Sequence, residues 1–195
     1  MKINENGRSM VEMLGVLAII GVLSAGGLAG YSKAMFKHKL NNTIDEVTML
    51  VTNIRTMYGA QTSYASIATD AVKLGIVPAN FLTGTNNSKI TNPFKGSISL
   101  AAGKAKSGDD DGTAFKITVA DIPQEACVTL ASADWGSGAG SGFIGAVYGD
   151  NDPMVGTAAE GHVLTVNEAA TACTPDAGDE ETPGTGLSTV TLKFY

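Results

Sequence analysis

The chain opens with a short polar segment that is followed by a long apolar run. From Met13 to Ser32 the sequence has no charged side chain, and these twenty residues are about enough to cross a bilayer core as a helix. Glu12 stands directly before the run. A carboxylate costs about 2.5–3.5 kcal/mol near the centre of a membrane and less near its edge. The pattern therefore predicts a membrane-length helix with a carboxylate that requires a partner.

After Lys33 the pattern becomes amphipathic. Apolar residues recur at spacings of four and three, which is typical of one face of a helix. These residues are Leu40, Ile44, Val47, Val51, Ile54 and Tyr58. Gly59 follows as a C-terminal stop. We expect one helix from Ser9 to Tyr58 that lays this stripe on a globular head. The alternative is a membrane anchor followed by an unrelated short helix.

Five glycines interrupt the apolar half of the expected helix. They are Gly15, Gly21, Gly26, Gly27 and Gly30. Small residues allow a second helix to approach closely in a membrane. Glycine also weakens a helix by roughly 1 kcal/mol relative to alanine, which favours local unwinding. Both interpretations of these glycines stay open.

The rest of the chain alternates short apolar segments with turn residues. This pattern predicts strands at residues 97–101, 114–120, 143–148, 162–166 and 188–194. It predicts helices at residues 64–74, 123–132 and 167–173, the last of them capped by Asn167.

Composition excludes several function classes. The formal net charge is −6 and the pI is near 4.8, so we do not expect a nucleic-acid-binding surface. No Ser-His-Asp, Cys-His or paired-carboxylate arrangement is readable along the chain, so we do not expect an enzyme.

Two acidic runs are candidate calcium ligands, because oxygen-rich loops bind this ion. Residues 108–112 read GDDDG and residues 149–152 read GDND. Their candidate ligands are Asp109, Asp111, Asp150 and Asp152. Neither run has the spacing of a calcium-binding EF-hand, so we favour solvated turns and expect no cofactor.

The N-terminal pattern resembles the class III signal of type IV prepilins and pseudopilins. Gly7, the stretch RSMVE and the run LGVLAIIGVLSAGGLAGY carry the resemblance. It implies that a dedicated peptidase cuts between Gly7 and Arg8 and methylates the new N-terminus. The first mature residue is then Arg8, where the family usually has Phe, Met or Leu.

The resemblance also implies a role for Glu12. In the family, the glutamate at the fifth mature position is thought to meet the N-terminal amine of the next subunit. Glu12 is then expected to pair with the Arg8 amine of a neighbour, and the Arg8 guanidinium can compete for the same carboxylate. The alternative is a Glu12 side chain that extends to the membrane edge and has no such partner.

The head resembles that of type IVb pilins. The similarity rests on NPFKG at residues 92–96, on the FKITV and IPQEAC segments, and on the cysteine spacing. It implies an α+β fold in which a long N-terminal helix packs on an antiparallel β-sheet. Cys127 and Cys173 fit one disulfide in an exported protein, and the alternative is two free buried thiols.

These expectations divide the chain into a leader (1–7), a hydrophobic helix half (8–32), an amphipathic half (33–59) and a head (60–195) with a disulfide-bounded region (127–173). The implied function is that of a structural subunit of an extracellular type IV pilus, which lies in the inner membrane before assembly. Its implied partners are other copies, the prepilin peptidase, the assembly machinery of the inner membrane, and host or neighbouring cell surfaces. The alternatives are a pseudopilin of a type II secretion system and a minor, tip-located pilin acting as an adhesin.

Overall fold

The structure is a computed structural model that describes residues 6–61, 63–85, 88–136, 142–147, 152–155, 163–176 and 185–195. The chain forms two compact units, Met1–Asn41 and Asn42–Tyr195, which are described separately. Helix α1, Asn6–Tyr58, includes residues of both. This continuous helix confirms the first of the two expectations for the N-terminal part of the chain.

Helix α1 ends where Gly59 was expected to stop it. A Cβ atom on residue 59 would lie only 2.8 Å from the carbonyl oxygen of Arg55. The chain then turns, with the Gln61 amide donating to the Tyr58 carbonyl at 2.8 Å. A residue without a side chain is therefore required at this helix end.

The elements that follow α1 belong to the second unit. The helices are α2 (Ile67–Asp70), α3 (Gln124–Ala131) and α4 (Val166–Ala172), with a 3-10 turn at Ala79–Phe81. The strands are β1 (Leu82–Thr83), β2 (Lys89–Thr91), β3 (Ser97–Gly103), β4 (Ala114–Ile122), β5 (Phe143–Val147) and β6 (Ser188–Phe194).

Across the described ranges these strands form one antiparallel sheet in the order β1-β2-β3-β4-β6-β5. The last strand of the chain therefore lies between β4 and β5. The long helix and the antiparallel sheet confirm the α+β class expected from the sequence.

Alternation along β4 and β6 places one set of side chains in the core. Ile117 is paired with Leu192 and Val119 with Val190, and all four are buried. On the opposite face the hydroxyls of Thr118 and Thr191 form a hydrogen bond of 2.9 Å. The period of two along each strand explains this separation of apolar and polar side chains.

A row of aromatic rings joins α1 to three strands. The ring centroids of Tyr58 and Tyr64 are 5.3 Å apart, and those of Tyr64 and Phe115 are 4.9 Å apart. Phe194 continues the row at 5.6 Å from Phe115 and 5.3 Å from Phe143. These separations are in the range at which aromatic pairs attract beyond their buried area.

The buried face of α1 in the second unit differs in part from the predicted stripe. Its C-terminal members are buried as expected, namely Val47, Val51, Ile54 and Tyr58. Ile44 is only half-buried, whereas Thr43, Glu46 and Leu50 are buried. The face is therefore rotated about the helix axis toward residues that the apolar pattern left out.

The helix expected at residues 64–74 is wrong over most of its length. Only Ile67–Asp70 is α-helical, and turns continue to Gly75, which has φ +69°. Tyr64 is not part of this helix, because its amide donates to the Gly112 carbonyl at 2.7 Å and its ring lies in the aromatic row. Tertiary contacts override the local helical preference here.

The strand expected at residues 162–166 is also wrong in the described part of that segment. Thr165 instead caps α4 in a capping box with Glu168, and Val166 is the first helical residue. The helix expected at 167–173 is confirmed with shifted bounds, and its cap is Thr165 instead of Asn167. The T-x-x-E signal at this helix start is readable in the sequence.

The remaining elements agree with expectation apart from their ends. Strands β3 and β4 each extend two residues beyond the predicted ranges. Strand β5 ends at Val147, and residue 148, the last of the predicted range, lies outside the described residues. Helix α3 begins at Gln124 because Pro123, with ψ 146°, is its cap. The short strands β1 and β2 were not expected, since two or three residues carry no readable period.

The two cysteines form the expected disulfide, and no cysteine is free. Cys127 lies in α3 and Cys173 caps α4, with their Cα atoms 5.8 Å apart. The Cys173 carbonyl also accepts a hydrogen bond of 2.9 Å from the hydroxyl of Ser188 at the start of β6. The disulfide therefore joins two helices that lie beside the last strand.

Removing this disulfide should destabilise the protein substantially. We expect the Cys127→Ser, Cys173→Ser double variant to lose about 4 kcal/mol of unfolding free energy, because the bond closes a loop spanning 46 positions. Urea unfolding of the detergent-solubilised full chain measures this loss. Reduced wild type is the matched control and should unfold like the variant. A loss below about 1 kcal/mol would contradict the expectation.

Candidate functional site

The first unit exposes a continuous apolar surface on α1. Every large apolar side chain from Met10 to Tyr31 is between 52% and 74% exposed. An 18-residue window of the helix has a mean hydropathy of 2.1 and is not buried within the chain. By length and composition the helix can cross a membrane. An exposed apolar surface of this extent marks a site of contact with a membrane or with another protein.

The residues singled out at the N-terminus lie at the start of this helix. Gly7 and Arg8 are in the first turn of α1, and Glu12 follows in the next turn. Glu12 is exposed, and it is the only charged residue between Met10 and Ser32. The helix therefore presents one carboxylate at the beginning of its apolar surface.

The five glycines of this helix are not explained by packing within the chain. A Cβ atom at Gly15, Gly21, Gly26, Gly27 or Gly30 would meet nothing within 4 Å. Their lack of a side chain is therefore not required by contacts inside the subunit. Close approach of a second helix and local unwinding both remain compatible with this open space.

The second unit contains a buried carboxyl that sequence reasoning missed. Glu46 is 8% exposed, and its Oε2 atom has no hydrogen-bond partner among the described residues. Burial raises its pKa to about 7. The stripe was drawn from apolar residues alone and so excluded this position.

Arg55 lies two to three turns further along α1. Whereas Glu46 is a buried acid, the guanidinium of Arg55 is a partly buried cation. Its guanidinium carbon lies 5.7 Å from the centroid of the Phe194 ring, within cation–π range. Burial lowers its pKa, and the neighbouring Tyr64 and Tyr195 raise it in part. The contact ties α1 to the aromatic row of the sheet.

Asp152, one of the calcium candidates, lies between two lysines. Lys116 Nζ donates to its Oδ2 at 2.9 Å, and Lys193 Nζ, which is fully buried, donates to its Oδ1 at 3.0 Å. Burial alone would raise the pKa of Asp152, but the hydrogen bonds and charges of the two lysines outweigh it and lower the pKa. Asp152 thus compensates a buried ammonium group, which disfavours calcium at this carboxylate.

The other calcium candidates form no site in the described part of the chain. Asp109 Oδ2 accepts a hydrogen bond of 3.0 Å from the Lys106 amide and so closes a turn, and Asp111 is exposed. Asp150 lies outside the described residues. Among the residues that are described, no group of three His, Cys, Asp or Glu side chains could hold a metal ion. The solvated turns stay a prediction.

Comparison with known proteins gives a consistent result. A family model described as Bundlin matches residues 33–193. The major structural subunit of the bundle-forming pilus of Escherichia coli O127:H6 (strain E2348/69) is 33% identical over 175 residues, or 87% of this chain and 88% of that protein. The corresponding subunit of Escherichia coli O111:H- is 32% identical over 174 residues, with the same coverage.

Two solved structures are also similar at low identity. TcpA, a type IV pilin from Vibrio cholerae El Tor biotype, is 16% identical with a TM-score of 0.45, covering 80% of this chain and 98% of that one. The type IVb pilin PilS from Salmonella typhi is 23% identical with a TM-score of 0.44, covering 80% and 95%.

The buried carboxyl of Glu46 should make stability depend on pH. Its folded pKa of about 7 lies above the ordinary 4.5, so folding favours the protonated form. That contribution is present below pH 4.5 and is lost as the pH rises to 7. We expect Glu46→Gln to be more stable than wild type by about 3 kcal/mol at pH 8, and to show no such gain at pH 4.

Urea unfolding of the detergent-solubilised full chain at both pH values measures the difference. The matched control is Asp45→Asn, which alters the exposed neighbouring carboxylate and should change the pH dependence little. A Glu46→Gln gain that is equal at pH 4 and pH 8 would show that ionisation of Glu46 does not cause it.

Proposed function

The chain belongs to the bundlin family of type IV pilins, and we propose that it is the major structural subunit of an extracellular pilus filament. The observation that carries this proposal is the exposed apolar surface of α1 between Met10 and Tyr31, on a chain whose second unit has its own buried core. Membership of a family of structural subunits also confirms the expectation that the chain is not an enzyme.

The apolar surface supports a polymer of identical subunits. Burying one large apolar side chain contributes about 1.5–3 kcal/mol, so contact between helices of many copies is strongly favourable. The apolar helices then form the filament core, and the disulfide-bonded heads form its outer surface. Before assembly, the same helix lies in the inner membrane, where its length and hydropathy suit the bilayer core.

The proposal includes removal of the leader by a prepilin peptidase. The bond between Gly7 and Arg8 lies near the first described residue of α1, between the polar leader and the apolar run. Such a bond is accessible to a peptidase without unfolding the apolar run. The same enzyme would methylate the new amine of Arg8, and the assembly machinery of the inner membrane would take up the mature chain.

The cut creates a cation for Glu12. The new amine of Arg8 carries a positive charge, and an opposite charge within about 4 Å offsets much of the desolvation of a carboxylate in an apolar core. We infer that Glu12 of one subunit pairs with the Arg8 amine of its neighbour. The guanidinium of the same residue offers a second, bidentate donor to this carboxylate.

Mass spectrometry of filaments sheared from cells tests the assembly and the processing together. We expect the chain to be the most abundant protein and its intact mass to correspond to residues 8–195 plus one methyl group and minus two disulfide hydrogens. A chain that is scarce in the sheared material would favour a pseudopilin, and one found only at the filament ends would favour a tip-located adhesin. A mass that still includes MKINENG would refute cleavage after Gly7.

Substitution of Glu12 tests the pairing. We expect Glu12→Ala to leave membrane insertion intact but to reduce filament yield more than about tenfold, because a charge-assisted contact of about 1.5–3 kcal/mol is lost at each subunit interface. Electron microscopy and fractionation of cells measure the two effects. Glu125→Ala, which removes an exposed carboxylate at the start of α3, is the control and should assemble normally. Normal piliation by Glu12→Ala would end the argument for pairing.

A further inference from the structure

The carboxyl of Glu46 is buried and has no cationic partner among the residues that the structure describes. Glu46 is only 8% exposed, and its Oε2 atom has no hydrogen-bond partner in the described part of the chain. Natural structures rarely leave a buried polar atom unsatisfied, because its desolvation is not compensated. Burial also raises the pKa of Glu46 to about 7. An isolated subunit is therefore less stable with this carboxylate ionised than it would be with a neutral residue.

A cleft of about 200 Å³ lies at this position, entirely within the second unit. Its lining residues are Asn42, Asp45, Glu46, Met49, Asn80 and Phe81. The cleft thus combines two carboxyls and two carboxamides with two apolar side chains. None of its described lining residues is cationic, and Met49 among them is 46% exposed.

This combination fits the side chain of lysine. An ammonium group donates three hydrogen bonds, for which carboxylate and carboxamide oxygens are acceptors. The four-carbon stem of lysine packs on apolar surface while the charged end reaches polar groups. A divalent metal ion fits less well, because no described group of three His, Cys, Asp or Glu residues could hold one.

We propose that this cleft, which we call the Glu46 cleft, binds a lysine side chain of a second copy of the chain in the filament. The proposal rests on the proposed function, since a polymer brings identical surfaces together. Eleven of the thirteen Lys and Arg residues are lysines. Exposed lysines available for such a contact include Lys33, Lys37, Lys89, Lys95, Lys104 and Lys106. The acidic cleft and these basic side chains are complementary in charge.

The contact gives Glu46 opposite effects in the two states of the protein. In the isolated subunit the ionised carboxylate is destabilising, because no cation among the described residues offsets its desolvation. In the filament an ammonium group from the neighbour satisfies it, and the contact strengthens the assembly. A residue that served only the core of the subunit would change subunit and filament stability in the same direction.

Zero-length carbodiimide coupling of sheared wild-type filaments tests this assignment directly. The reagent joins a carboxyl to an amine only when the two are in contact. Peptide mass spectrometry should find Glu46 coupled to a lysine of this chain in filaments, and not in detergent-dispersed subunits treated identically. The same coupling in dispersed subunits would place the lysine in the same chain and overturn the proposal. Filaments in which Glu46 is uncoupled, or is coupled to another protein, would also overturn it.

The Glu46→Gln variant provides a second measurement. Its filaments should release roughly tenfold more subunits than wild type at a fixed urea concentration, although the isolated variant subunit is the more stable of the two at pH 8. Filaments as resistant as wild type would overturn the proposal. If the wild-type chain forms no filaments, the proposed function fails and this inference fails with it. Wild-type filaments without the Glu46 contact overturn the inference alone.

Discussion

The second unit depends on the burial of one face of α1 against the aromatic row of the sheet. Tyr58 and Tyr64 connect the end of the helix to Phe115 on β4, and Phe194 and Phe143 extend the contact to β6 and β5. The row runs across strands that are distant in sequence, so the C-terminal strand has to be in place before it is complete. The same contacts explain why the chain around Tyr64 is not helical.

Elements with a long or regular pattern could be predicted from the sequence, and elements made by tertiary contacts could not. The long apolar run and amphipathic stripe of α1 and the alternation of β6 are extended patterns, and both elements lie close to the predicted ranges. The two-residue strand β1 has no period to read and is defined by its pairing with β2. The error at 162–166 has a different origin, because the capping box of Thr165 and Glu168 is readable in the sequence but overlaps a short apolar run that is typical of a strand.

The residues of the candidate site also fall into those that could be predicted from the sequence and those that could not. The apolar surface from Met10 to Tyr31 and the disulfide partners could be inferred from composition, spacing and resemblance. Glu46 could not be inferred from an apolar stripe, because a glutamate on a helix is usually assigned to the solvent side. Lys193 was missed for the same reason. It is fully buried on β6, and its ion pair with Asp152 across 41 positions offsets the cost of that burial.

Lys193 and Glu46 show two ways in which a buried charge can be accommodated. Lys193 has its counter-ion within the subunit, so its burial does not require another molecule. Glu46 has no ion pair in the described residues, and the polar residues that line its cleft with it contribute a second carboxyl and two carboxamides. A polymerising chain can tolerate such a group if the partner is supplied on assembly. The cost of the buried charge in the isolated subunit then shifts the equilibrium toward the filament. The reason is that pairing the charge at the filament contact lowers the free energy of the assembled state.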